Sequence, residues 1–274
     1  TGSGLGMAVS LEEGWFNSNW RWYVGVNFGN LPADKCKALL SPGHLCFHET
    51  GRAKPSRDMV LLLADTLDVP LRERNALLLA AGFAPMFRES TLDDRELVPV
   101  RTAIDAILKQ QEPFPAVVMN RHWDIVATNG AATRFFSLLL DGRTPHGAGN
   151  ILRLMFHPDG LRPFVENWEA VAHTLIRRVH REALGGTLDD AGQELLSEVL
   201  DYVGVPQRLR TPDLETPLVP VVPVSFGHLG QTFNFFSAVT VLGTPQDITL
   251  QELRVECFFP MDDATGAGAR TLFD

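Results

Sequence analysis

The residues best placed to do chemistry lie in one short run, NILRLMFHPDGLRPFVENW, over residues 150–168. Asn150, Arg153, His157, Arg162, Asn167 and Trp168 bring donors, cations and an aromatic edge into an apolar ladder of Leu152, Leu154, Met155 and Phe156. Ligand pockets have that composition, mostly apolar walls with a few convergent polar groups that fix orientation. The same run also reads as a plain connection between two helices, with Pro158-Asp159-Gly160 as the turn, Asn167 as a cap and the arginines facing water.

Catalysis has no comparable support. There is no GxSxG run and no phosphate-binding GxxxxGK run, the GSGLG near the start follows no strand, and no nucleophile is paired with a base. His44 and His48 stand at i and i+4 beside Cys46 and Glu49, but a tetrahedral metal site needs more ligands at defined spacing, and neither CxxC nor HExxH occurs. His173 and His180, two turns apart, read as surface or core. The expectation is a binding protein, not an enzyme, with neither metal nor cofactor.

The chain of 274 residues is long enough for two ordinary domains, and 45% hydrophobic against 21% charged residues is a globular balance. No apolar run approaches the roughly 20 residues of a membrane span, so no membrane partner is expected. Cys36, Cys46 and Cys257 are odd in number and widely spaced, which points to a reducing compartment; with no basic-then-apolar leader, the cytoplasm is expected. The net charge of −9 is unevenly spread: residues 1–90 hold nine basic and nine acidic side chains, residues 91–274 hold 15 and 24. A neutral first part can present a small basic face to DNA while the acidic remainder is held off the phosphates.

The elements that must position these residues follow from period and punctuation. PADKCKALL and SPGHLCFHE read as short helices, the second begun by Ser41 and Pro42. After the basic loop of Arg52, Lys54 and Arg57 come DMVLLLADTLDV, with Met59, Leu62, Leu63 and Leu67 inward, and LRERNALLLAAG, with Leu71, Leu78 and Leu79 inward. Residues 83–91 read as a linker and 97–110 as a connector helix whose Val100, Ile104, Ile107 and Leu108 share a face. AVVM and WDIVAT form a hairpin, Asn129 caps the helix GAATRFFSLLL, and two long helices follow the 150–168 run. VPVVPVSF, TFNFFSAVTVL and ELRVECFF then read as strands, the first an edge because of Pro220 and Pro223.

ETGRAKPSRDMVLLLADTLDVPLRERNALLLAAGFAP over 49–85 resembles the second half of the helix-turn-helix domain of XRE-type transcription regulators, in particular the MmyB-like family. The runs PFPAVVMNRHWDIVATNGAA, NILRLMFHPDGLRP with ENW, and FFSAVTVLGTPQDITLQELRVECFFP resemble, in order, that family's PAS-like ligand-binding domain. The resemblance implies an α+β chain: a helix-turn-helix bundle over 1–90 and, over 91–274, an antiparallel sheet with helices packed on one side. It further implies a homodimer on a double-stranded DNA operator, with SPGHLCFHE as recognition helix, so that Ser41, His44, Arg52, Lys54 and Arg57 contact DNA.

It also implies a bound fatty-acid-like ligand. Val117, Met119, Phe135, Leu154, Met155, Phe235 and Phe236 would line its pocket, and Arg153, His157, Asn167 and Trp168 would form a polar rim with Arg121 or Arg162 as second cation. An acyl chain gains about 0.8 kcal/mol per buried methylene, and a guanidinium pairs its carboxylate bidentately. The same side chains can instead fill a sheet–helix core. The expected function is a ligand-responsive transcription regulator. The alternative is a lipid sensor or carrier whose degraded helix-turn-helix no longer binds DNA, favoured by Gly43 where the family carries an arginine.

Overall fold

A computed structural model describes residues 54–184, 189–213, 221–243 and 245–273. The chain divides into two compact units, Thr1–Arg88 with Glu182–Asp189, and Glu89–Arg181 with Asp190–Asp274. Among the described residues no helix is long and apolar enough to cross a membrane.

In the smaller unit, α1 (Arg57–Thr66) starts at Ser56, whose hydroxyl accepts from the Met59 amide at 3.2 Å, and carries Asp58 in its first turn. After Asp68 at φ 51° and Pro70 comes α2 (Leu71–Ala80), which stops at Gly82 with φ 84°. The buried face of α1 is not the expected one, whereas α2 buries two of its three expected leucines. Val60 and Ala64 are buried in α1 while Leu62 is 42% exposed; in α2, Leu71 and Leu78 are buried and Leu79 is 59% exposed. Small Ala64 selects the stripe through Val60, and Leu62, two residues along, falls on the other side of a 3.6-residue turn. Part of the expected linker is also fixed. The Asn75 side-chain carbonyl accepts from the amides of Met86 (2.9 Å) and Phe87 (3.0 Å), and its NH2 donates to the Phe87 carbonyl (2.7 Å).

The larger unit is built on a five-stranded sheet in the order β2-β1-β5-β4-β3, every pair antiparallel. It starts with α3 (Val98–Gln111), Pro99 tolerated in the first turn, followed by β1 (Ala116–Met119) and β2 (Ile125–Thr128). Next come α4 (Gly130–Leu140), α5 (Ile151–Phe156), α6 (Trp168–Leu184) and α7 (Asp190–Asp201). β3 (Val222–His228), β4 (Gln231–Val241), the short α8 (Ile248–Glu252), β5 (Arg254–Pro260) and α9 (Asp263–Phe273) complete it.

Helices cover both faces of the sheet, not one. Ile104 and Leu108 of α3 pack with Ala116, Val118, Leu253, Val255 and Cys257 on the outer face. The reason lies in β1, whose four residues are all buried: a central strand apolar on both sides needs a cover on both. Asn129 joins that corner to α4, its side-chain carbonyl accepting from the amides of Ala132 and Ala116, each at 2.9 Å. DATGAGARTLF gives little helical signal, yet α9 forms there. Its glycines permit close approach, since a Cβ on Gly268 would lie 3.1 Å from the Phe233 ring, and the Asp262 carboxylate accepts from the Thr265 amide at 2.7 Å.

β3 is the edge that its proline requires. Val165 bridges to Phe226, the Glu166 amide donates to the Ser225 carbonyl at 2.8 Å, and this short segment closes the exposed ladder.

Candidate functional site

Strand alternation sorts the inner face. β5 puts Arg254, Glu256 and Phe258 on one side; the register brings Met119 opposite Arg254, Val117 and Val239 opposite Glu256, and Ser237 opposite Phe258. Phe235 and Phe233 follow along β4, with Val224 and Phe226 opposite them on β3. The face is therefore apolar and aromatic toward β3 and charged toward β1. At the aromatic end Phe135 of α4 lies edge-on to Phe226, Phe233 and Phe235, with centroids 5.0, 6.1 and 5.8 Å away. Phe236 does not belong to this face. One residue beyond Phe235, it points to the other side and stacks on its cross-strand neighbour Phe259 at 5.2 Å.

The charged end is built around Trp123, which is 1% exposed and has a left-handed backbone at φ 66°. A bulky residue there is strained and must be held by its surroundings. Asn120 holds it: its side-chain carbonyl accepts from the amides of His122 (2.9 Å) and Asp124 (3.0 Å), while its backbone carbonyl accepts from Trp123 at 3.1 Å. Asn150 clamps the same turn from the other side. Its NH2 donates to the His122 carbonyl (2.7 Å) and Asp124 Oδ1 (2.9 Å), and its Oδ1 caps α5 by accepting from Leu152 and Arg153. Two guanidinium groups lie against the Trp123 ring, Arg178 of α6 at 5.7 Å and Arg254 of β5 at 5.1 Å.

The 150–168 run supplies walls and braces around this interior. Leu154 and Met155 are buried in α5. Arg153 is committed to α7: its Nε lies 3.0 Å from both Glu198 carboxylate oxygens and its Nη2 2.7 Å from Oε2, while the Tyr202 hydroxyl donates to Oε1 at 2.6 Å. Arg153 holds the Glu198 carboxyl below the usual range; burial, then the bond to Glu198, pushes Tyr202 up to about 12. His157 caps the end of α5, accepts from the Asp159 amide through Nδ1 at 3.1 Å and lies edge-on to Tyr202 at 5.3 Å. Arg162 donates to the Val203 carbonyl and lies 5.1 Å over Trp168. Trp168 packs on Phe156 at 4.9 Å, and its buried Nε1 meets no acceptor among the described residues.

Asn167 is a brace as well. It accepts from the Ser225 amide (3.0 Å) and donates to the Pro223 carbonyl (2.9 Å), fixing the start of α6 to the edge strand. Arg121, in the β1–β2 turn, lies 3.8 Å from Glu252. The expected rim is thus dispersed over several separate contacts, and its arginines face protein groups.

A family model described as MmyB-like transcription regulator ligand binding domain matches residues 100–272, well over half of the chain. The chain belongs to that family. No curated protein matches it.

In this MmyB-like domain Trp123, Arg178, Arg254 and Glu256 are the polar residues of the inner face that sequence reasoning missed. The signal was present: period 2 in RVECFF puts Arg254 and Glu256 on the side of Phe258. Among the described residues no group of three or more His, Cys, Asp or Glu comes together to hold a metal ion. Of the expected DNA contacts, Ser41, His44 and Arg52 lie outside the described residues, whereas Lys54 and Arg57 are exposed just before and at the start of α1.

Proposed function

We propose that this protein is a transcription regulator that binds a fatty-acid-like lipophilic ligand on the inner face of its PAS-like sheet and couples occupancy to DNA affinity. One observation carries the reading. Within the family-matched domain, an aromatic face formed by Phe135, Phe226, Phe233 and Phe235 continues toward the half-buried guanidinium groups of Arg178 and Arg254, which lie against the buried Trp123. That combination suits a ligand with a long apolar body and an anionic end. The protein acts as a cytoplasmic homodimer on a double-stranded operator, with Lys54 and Arg57 positioning the phosphate backbone. Coupling requires the ligand to prefer one arrangement of the dimer, because equal affinity for two arrangements shifts neither.

Native mass spectrometry of the purified protein, with solvent extraction of what it releases, tests the ligand. A released long-chain acid or lipid supports the reading, and empty protein that also fails to take up added fatty acid refutes it. A gel shift over a pool of random duplexes, with and without that ligand, tests the regulator. The carrier alternative, favoured by Gly43, predicts ligand binding with no preferred duplex.

A further inference from the structure

β5 is employed on both of its sides. On the inner side Phe258 lies edge-on to Phe235 at 6.1 Å, and Arg254 lies against Trp123. On the outer side Val255 and Cys257 share a core with Leu250 of α8 and with Leu92. Leu92 belongs to the segment that runs from the smaller unit into α3, and α8 holds the same segment two residues earlier. Asp247 Oδ2 accepts from the Ser90 amide at 3.1 Å, and the Thr249 hydroxyl donates to the Ser90 carbonyl at 2.6 Å. Both backbone polar groups of Ser90 are thus taken by side chains 157 and 159 positions along the chain. Asp247 is buried, and its other oxygen caps α8 by accepting from the Leu250 amide at 3.4 Å, so one carboxylate serves the clamp and the helix start.

The smaller unit fixes its own end of this segment at Met86 and Phe87, through Asn75, and Ser90 follows only three positions after Phe87. A tether this short passes a displacement on, where a long flexible linker would absorb it. Beyond Ser90 the segment is held again, the Leu92 carbonyl accepting from Arg101 of α3 at 2.7 Å. We infer that the clamp of Asp247 and Thr249 on Ser90 is the output contact of the ligand-binding domain: a shift of β5 on occupancy moves α8, and α8 moves the segment that leads to the smaller unit. The inference rests on the reading that a lipophilic ligand occupies the inner face. Coupling between distant sites is carried by contiguous packed and hydrogen-bonded elements. Here only Leu253, a buried member of the outer core, separates α8 from β5. Asp247 and Thr249 act through Ser90 and are positioning residues.

Hydrogen exchange of full-length protein stripped of lipid is followed by mass spectrometry with and without dodecanoate. In the wild type, dodecanoate is expected to slow exchange in β4 and to change the rate across residues 86–90 by about fivefold or more, the lower end of ordinary coupling. Thr249→Val removes one hydroxyl and little else. Asp247→Asn keeps an oxygen to cap Leu250, loses the acceptor for Ser90, and serves if the valine variant does not fold. In each, the slowing in β4 should persist while the response across 86–90 falls below about twofold. Either substitution raises the basal rate at Ser90 even if the clamp is only structural, so the ratio with and without dodecanoate is decisive. A ratio that matches the wild type in either folded variant, or a wild type that responds in β4 alone, overturns the inference while the lipophilic-ligand reading stands. If dodecanoate alters neither region, that reading falls and takes the inference with it.

Discussion

Arg153 shows how a residue with the right chemistry is diverted by its neighbours. Its guanidinium grips Glu198 in a bidentate pair, and Tyr202 donates to the same carboxylate, so the three groups form a closed brace between α5 and α7. The Glu198 carboxyl is depressed mainly by its bond to Arg153. Its stabilising contribution is therefore present above the ordinary carboxylate value and is lost as pH falls through the depressed one. His180 acts at a higher pH in the same direction. It is 6% exposed, and burial lowers its pKa; unfolding lets it take up a proton, so stability declines as pH drops below about 6.5. Tyr202 acts in alkali, its contribution lost between its ordinary value and about 12. Glu198→Gln should cost about 1 kcal/mol near neutrality, since the pair is part-exposed, and should flatten the acid limb of a urea-denaturation pH profile. An unaltered acid limb would show that the brace contributes nothing.

At the level of elements, the main result is that α3 is part of the ligand-binding domain's core and not only a connector. The sequence face of Val100, Ile104, Ile107 and Leu108 was legible because its spacing is helical, and those residues pack as that spacing requires. What they pack against was not legible, because the outer face of β1 and β5 is assembled from residues more than 130 positions apart. Leu108→Ala should therefore cost about 2–5 kcal/mol in equilibrium unfolding, the range for a buried leucine, where a solvated connector would lose less than 1 kcal/mol. The helices of the smaller unit make the converse point. Leucines at 62 and 79 satisfied the apolar pattern, yet both are exposed: in α1 the stripe through Val60 and Ala64 is buried, and in α2 the one through Leu71 and Leu78.

For the whole molecule, charge is unevenly distributed. The acidic excess lies beyond residue 90, which leaves the first part electrically neutral, with Lys54 and Arg57 exposed beside Ser56 at the start of α1. If these two position phosphates, Lys54→Ala with Arg57→Ala should weaken binding to all duplexes alike and lower the salt slope of log K by about 2 per protomer. An unchanged slope in fluorescence anisotropy across a salt series would remove both from the interface. Loss at one sequence only would make them base readers instead.

The sequence by itself determined most of the local structure and the family: where the helices and strands before α9 mostly fall, that the sheet is antiparallel with β3 at its edge, and that residues 100–272 are an MmyB-like domain. Those features depend on period, caps and turn residues close in the chain. Only the tertiary structure decided which polar groups are engaged by the protein itself. Arg153, Asn167 and Arg162 meet partners 35 or more residues away and are engaged there, whereas Arg178, with no distinction in its own helix, is laid against the Trp123 ring. A side chain's availability is set by what folding brings opposite it, and one-dimensional spacing does not contain that.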